Sequence, residues 1–132
     1  MDHRLSSLFL RLGVLSLIVG VSLGVWMGAN ENFTLRPVHA HINLIGWTSM
    51  MLIGLFYRAM PAAAAGWLPQ AQWLLFVLGF VSMMTGLAAM LLGNTALLPA
   101  LMAGEIMTGL GILLFAVILF RATGGRTPAA AA

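Results

Sequence analysis

The sequence predicts an all-α integral membrane protein that folds as a bundle of four transmembrane helices. Of its 132 residues, 61% are hydrophobic and only 7% are charged, whereas a soluble domain carries about 25% charged residues. The chain also contains four apolar runs with few or no charges, each close to the ~20 residues that a helix needs to cross a bilayer core. We therefore expect most of the surface to face lipid.

The expected spans follow these apolar runs and lie at about residues 8–29, 38–60, 71–93 and 96–121. Pro, Gly and Asn residues mark the breaks between them, and the short connections make consecutive helices antiparallel neighbours. The first run is longer than the apolar core of a signal peptide, which favours a mature helix. Residues 1–123 are thus expected to form one transmembrane domain, followed by a disordered small-residue tail, 124–132.

The arginines predict the orientation of this bundle. Arg36 lies at one end, and five arginines lie at the other end, namely Arg4, Arg11, Arg58, Arg121 and Arg126. The positive-inside rule places the larger group in the cytoplasm. We therefore expect both termini to be cytoplasmic, with the start of the second helix on the periplasmic side of a bacterial inner membrane.

The composition also excludes several classes of function. The formal net charge is +3, but the arginines are scattered singly and form no basic stripe, so nucleic acid is not an expected partner. The chain has no cysteine, which excludes disulfides, thiolate metal sites and covalently attached c-type haem. Any haem must be held non-covalently.

Two histidines, His39 and His41, stand together at the start of the second helix, after Pro37, a residue that suits a first helical turn. Histidine is a common axial ligand of haem, and Arg36 could bind haem propionates, with Asn43 one turn deeper. Residues two apart on an α-helix point about 200° apart, so the pair cannot ligate one metal from one helix. The alternative is a pair of interfacial histidines hydrogen-bonded to water.

Glu105 is the one charged residue in the fourth span before Arg121, which lies at its end. Acidic groups within a membrane are usually protonated or paired. One interpretation makes Glu105 a proton acceptor, or a group that orients a haem ligand. The other makes it a packing residue that hydrogen-bonds to Asn43, Thr48 or Ser49.

The segment around the histidines also resembles a known family. The run His39-Ala-His41-Ile-Asn-Leu-Ile-Gly46-Trp47, continued by Gly54-Leu-Phe-Tyr57-Arg58-Ala-Met-Pro61, resembles the tenth helix of haem–copper oxidase catalytic subunits. The resemblance points to the C-type cytochrome oxidases and nitric oxide reductases, and it is specific over residues 36–61. In that family the first histidine of such a pair binds the active-site haem and the second binds the low-spin haem.

The departures from the family limit what the resemblance implies. The family holds its active-site copper with further histidines on other helices, whereas this chain has no histidine after His41. The resemblance therefore implies a haem b protein without oxygen reductase activity. Family subunits contain twelve helices in three groups of four, which implies that this chain is one unit of a haem–copper-oxidase-like ring. A homotrimer is expected, with a dimer as the second choice.

Four functions remain open from the sequence. The first is a b-type cytochrome that transfers electrons, with haem between His39 of one protomer and His41 of its neighbour, and quinol or a periplasmic redox protein as partner. The second is a haem-based binder or sensor of oxygen or nitric oxide, with one histidine per haem. The third is a haem-free copper or zinc protein for transport or assembly, using His39, His41 and Glu105. The fourth is a structural subunit.

Overall fold

The computed structural model describes residues 3–125, and within that range the chain is helical and contains no β-strand. Its four long helices are α1 (Arg4–Ala29), α2 (Arg36–Ala59), α3 (Trp67–Leu91) and α4 (Leu98–Thr123). All four are long and apolar enough to cross a membrane. The prediction of an all-helical multi-pass membrane protein is confirmed.

The helices extend beyond some of the expected spans, because helical structure continues into the polar membrane interface. The first helix begins at Arg4 rather than at residue 8, and its early Ser6 is buried and donates a hydrogen bond to the carbonyl of Gly54 at 2.9 Å. The third helix begins at Trp67 rather than at residue 71, with Pro69 in its first turn, where proline is tolerated. Arg126 and residues 126–132 of the expected tail lie outside the described residues.

The connections around α3 depend on two glycines. Gly66 (φ +90°) precedes the helix and Gly93 (φ +87°) follows it, a left-handed backbone region that glycine enters without steric penalty. After the second turn, the side-chain oxygen of Asn94 accepts a hydrogen bond from the amide of Ala96 at 3.0 Å. The turn at Gly66 leads from α2 into α3, and the turn at Gly93 leads from α3 into α4.

The second helix is not a regular α-helix. Its first turns, Arg36–His41, are α-helical, its middle, Ile42–Ser49, is π-helical, and Met50–Ala59 is α-helical again. The hydroxyls of Thr48 and Ser49 donate to carbonyls five residues earlier, at 3.1 and 2.9 Å. Such π-helical segments are rare and frequently occur at functional sites. Here the segment begins directly after the histidine pair.

The bundle has two different ends, which we call the arginine end and the histidine end. At the arginine end, a cavity lined by Arg4 and another lined by Arg121 flank the Pro61–Ala64 turn. At this end five aromatic rings from all four helices form one cluster, with ring centroids 5.3–6.2 Å apart: Phe9, Phe56, Tyr57, Phe76 and Phe115. The histidine end contains His39 and His41.

The helices otherwise pack through glycines. A Cβ atom added to Gly104 of α4 would clash with the backbone of Met83 in α3, and one added to Gly86 of α3 would meet Leu101 at 2.7 Å. On α2, a Cβ added to Gly46 would meet Phe80 at 2.6 Å. Close helix approach at glycines therefore contributes to positioning the histidine end.

Candidate functional site

His39 lies in a slot on α1 that is formed by two glycines. Its Nδ1 atom is 2.8 Å from the carbonyl oxygen of Gly20, which lies 19 residues away in the chain. A Cβ atom added to Gly24 would be only 2.7 Å from Cε1 of the ring. The imidazole therefore occupies space that any side chain at position 24 would fill.

The hydrogen bond to Gly20 fixes the tautomer of His39. A backbone carbonyl can only accept, so Nδ1 carries the proton and donates it. In a neutral imidazole the lone pair then resides on Nε2. The amide of Asn43 also lies 3.4 Å from Nδ1, but both groups are donors. The Asn43 amide instead donates to the carbonyl oxygen of His39 at 2.8 Å.

His41 has the same tautomer through a local contact. Its Nδ1 atom is 2.7 Å from the carbonyl oxygen of Pro37, one turn earlier in the same helix. Pro37 belongs to the first turn of α2, so its carbonyl accepts this bond where the helix starts. The ring of His41 therefore also presents an unprotonated Nε2.

Both Nε2 atoms are available to a ligand. Neither makes a hydrogen bond with the described residues, and neither is among the buried atoms that lack a partner. Both histidines are half-buried, and α-helical geometry across residues 36–41 separates their directions by about 200°. One protomer thus offers two accessible imidazole nitrogens that point to different surroundings.

Arg36 is exposed at the start of α2. Its guanidinium carbon lies 5.3 Å from the centroid of the Phe33 ring, within the range of a cation–π interaction. This contact leaves the N–H groups at the edge of the guanidinium free to meet an anionic group near the histidines.

Glu105 does not join the histidines in this chain. It is exposed on α4 and makes no hydrogen bond or ion pair with the described residues. The packing bond of the second interpretation, to Asn43, Thr48 or Ser49, is not formed within the described residues, and those side chains donate to carbonyls of their own helix. Both histidine Nδ1 atoms already have carbonyl acceptors, so neither needs Glu105 for its orientation.

No group of three His, Cys, Asp or Glu side chains in residues 3–125 is arranged to hold a metal ion. The set His39, His41 and Glu105 that a copper or zinc site would use is therefore not assembled within one chain. Two cavities, of about 790 and 590 Å³, lie at the arginine end, and neither is lined by histidine.

Comparisons with known proteins leave the family open. No protein-family model, curated protein or solved structure matches the chain. The resemblance to haem–copper oxidases accordingly rests on the segment from Arg36 to Pro61.

Sequence reasoning missed the partners of the histidines. The glycines at positions 20, 24 and 28 of α1 have the spacing that permits close helix approach, but that spacing does not show that Gly20 and Gly24 receive an imidazole. The signal was present, because both glycines and His39 lie near the α1–α2 connection and therefore at similar depth. Thr48 and Ser49 were considered only as partners of Glu105, although two adjacent hydroxyls were a hint of irregular helix geometry.

Proposed function

We propose that the protein is a membrane-bound b-type haem protein that transfers electrons, with each haem held between His39 of one protomer and the partner subunit's His41. The observation that supports it is that both imidazoles have the same tautomer, with the proton on Nδ1. Histidines that ligate metals almost always donate their second ring N–H to a carbonyl, a carboxylate or water. Here both Nδ1–H groups donate to backbone carbonyls, and both Nε2 atoms remain accessible.

The opposed directions of the histidines favour a site shared between copies. Nε2 atoms separated by about 200° around one helix cannot approach the same iron from its two sides. A ring of protomers uses both histidines in every copy, because a heterologous interface joins a different surface of each partner. The twelve-helix plan of the resembling family favours three protomers over two.

Axial ligation by two imidazoles favours electron transfer over gas binding, because it leaves no coordination position for oxygen or nitric oxide. When bound, haem supplies a one-electron carrier. His39 and His41 orient it, and Arg36 is placed to bind its propionates. With both termini in the cytoplasm of a bacterial cell, the site lies near the periplasmic face, where quinol or a periplasmic redox protein can reach it.

The visible spectrum of the purified protein tests this proposal. We expect sharp reduced bands of six-coordinate haem that carbon monoxide does not change, and loss of these bands in His39→Ala and in His41→Ala. His3→Ala is the matched control and should keep the bands. Carbon-monoxide-sensitive bands would instead support the gas-binding alternative. An unchanged haem content in the double variant would refute the site.

Mixing the variants tests whether the site is shared. Protomers lacking only His39 and protomers lacking only His41 are co-expressed. In a ring, some interfaces of the mixed assembly regain an intact pair, so bis-histidine haem should reappear although neither parent binds it. No recovery on co-expression, or a haem-loaded monomer by native mass measurement, would exclude the shared site.

A further inference from the structure

We propose that the π-helical segment of α2, Ile42–Ser49, positions the histidine pair, because only the π conformation places His39 in the slot formed by Gly20 and Gly24. The consequence for haem rests on the proposed function. The register of the helix can be tested without haem.

The half of α2 beyond the segment is anchored. Met50 and Tyr57 are each 1% exposed, and the carbonyl of Gly54 accepts the hydroxyl of buried Ser6. A Cβ added to Gly54 would also meet Leu10 at 2.9 Å. This half cannot rotate about its axis without disrupting its contacts with α1.

The first turns of α2, Arg36–His41, must therefore rotate about the helix axis when the segment changes its conformation. A π turn closes its hydrogen bond with one residue more than an α turn. If the segment became α-helical, residues before it would shift by one position, about 100° around the axis. Leu44 would then replace Asn43 against Gly20, and Ala40 would replace His39 in the slot.

The exposed side of α2 offers small and apolar side chains that fit against α1 in the alternative register. Ala40, Leu44 and Thr48 are exposed in the π conformation, with Leu44 64% exposed. They form an apolar and small-residue face one position away from the face that carries His39 and Asn43. The choice between the two conformations thus decides whether an imidazole or a methyl group meets α1.

The hydroxyls show the difference in register directly. In the α-helical parts of the bundle, Thr85, Thr108 and Thr123 donate to carbonyls four residues earlier. In the segment, Thr48 and Ser49 donate to carbonyls five residues earlier. Removing one residue between each hydroxyl and its acceptor carbonyl would change the five-residue spacing of the segment into the four-residue spacing of an α-helix. The donor and acceptor atoms would stay the same.

Cysteine pairs test the register cleanly, because the chain has no native cysteine. A Cβ at Gly20 would lie 2.9 Å from Cγ of Asn43. Adding one C–C bond of about 1.5 Å puts the two Cβ atoms no more than about 4.4 Å apart, within disulfide range. We expect Gly20→Cys with Asn43→Cys to crosslink in haem-free membranes, and Gly20→Cys with Leu44→Cys not to. Efficient crosslinking of the second pair would overturn the proposal.

Deleting single leucines gives a matched comparison. Leu44 lies in the segment and Leu55 in the anchored half, and the two are 64% and 51% exposed. Deleting Leu44 should convert the segment to α-helix, keep the 20–43 crosslink and leave the haem content unchanged. Deleting Leu55 shifts the register of α2 within its anchored half. Either the histidines or the buried residues that precede Leu55 must then leave their positions, so we expect the crosslink to be lost or the bundle to unfold.

The outcomes separate the two proposals. Loss of the 20–43 crosslink on deletion of Leu44, or failure of that variant to fold, would show that the segment does not set the register as inferred. An intact 20–43 crosslink in the double-cysteine variant, together with a wild-type protein that binds no haem, would refute the proposed function alone.

Discussion

The arginine end and the histidine end of the bundle are built on different principles. At the arginine end, side chains of Phe9, Tyr57 and Phe76 are at most 1% exposed, and aromatic rings from all four helices interlock. At the histidine end, α1 and α2 also meet through Gly20 and Gly24, where an imidazole and an amide lie against the two glycines. Buried apolar side chains such as Val38 and Ile42 lie beside them. The arginine end is packed by aromatic rings, whereas the histidine end combines apolar packing with hydrogen bonds of polar side chains.

This difference indicates that the arginine end mainly stabilises the fold, whereas the histidine end carries the candidate site. Buried aromatic residues contribute strongly to the stability of packed interiors, so the aromatic cluster at the arginine end is expected to contribute strongly to holding the helices together. The histidine end can then keep accessible nitrogen atoms and an irregular helix, features that functional regions often draw from the less stable part of a structure. The following substitutions would strengthen or break that contrast.

The largest effect on stability is expected for Phe76→Ala. This ring is fully buried and contacts Phe9 edge-on at 6.2 Å. Its removal leaves a cavity, and buried Phe→Ala changes cost about 3–5 kcal/mol. Unfolding by denaturing detergent measures the loss, with Phe120→Ala, at a position 71% exposed, as control. Equal losses for both variants would mean that the aromatic cluster does not hold the bundle.

A smaller and more local effect is expected for Gly24→Ala. The added methyl would lie 2.7 Å from Cε1 of His39, whereas nothing lies within 4 Å of a Cβ at Gly28. The ring must leave its acceptor on Gly20, and loss of such an orienting bond weakens metal affinity by about 10–100-fold. Haem titration should show this loss in Gly24→Ala but not in Gly28→Ala. Similar affinities for the two variants would argue against the slot.

Asn43→Ala should have a still weaker effect. It removes the amide that donates to the carbonyl of His39 at 2.8 Å, and such a bond contributes about 1 kcal/mol. We expect a haem affinity lowered by about fivefold, with the His39 ring still in the slot formed by Gly20 and Gly24. A complete loss of haem would assign Asn43 a direct role at the ligand rather than support of the helix.

The smallest effect on the protomer is expected for Glu105→Gln. The side chain is exposed and has no partner in residues 3–125, and substitutions at such positions change stability by within about 0.5 kcal/mol. Thermal unfolding of the monomeric fraction measures this. A larger loss that appears only in the assembled protein would show that the histidine end is closed by another copy over α4.

The sequence predicted the helices well because a bilayer restricts what a chain can do. Apolar runs such as the one ending at Ala29 must be helical to satisfy their backbone groups in lipid. The helix ends at the interface were less predictable, as at Arg4 and Trp67, because polar residues there are compatible with either helix or loop. The π segment could not be predicted, since the mixture of apolar and polar residues across Ile42–Ser49 is compatible with either helical register.

The features of the candidate site also differ in whether the sequence alone could predict them. The sequence by itself determined that His39 and His41 are neighbours at a helix start and point apart, because both properties follow from the covalent chain and the helical period. The tertiary structure alone decided that the carbonyl of Gly20 fixes the tautomer of His39 and that Glu105 is exposed without a hydrogen bond to either histidine. Those contacts depend on how far each helix is rotated about its axis, and only packing against the neighbouring helices sets that angle.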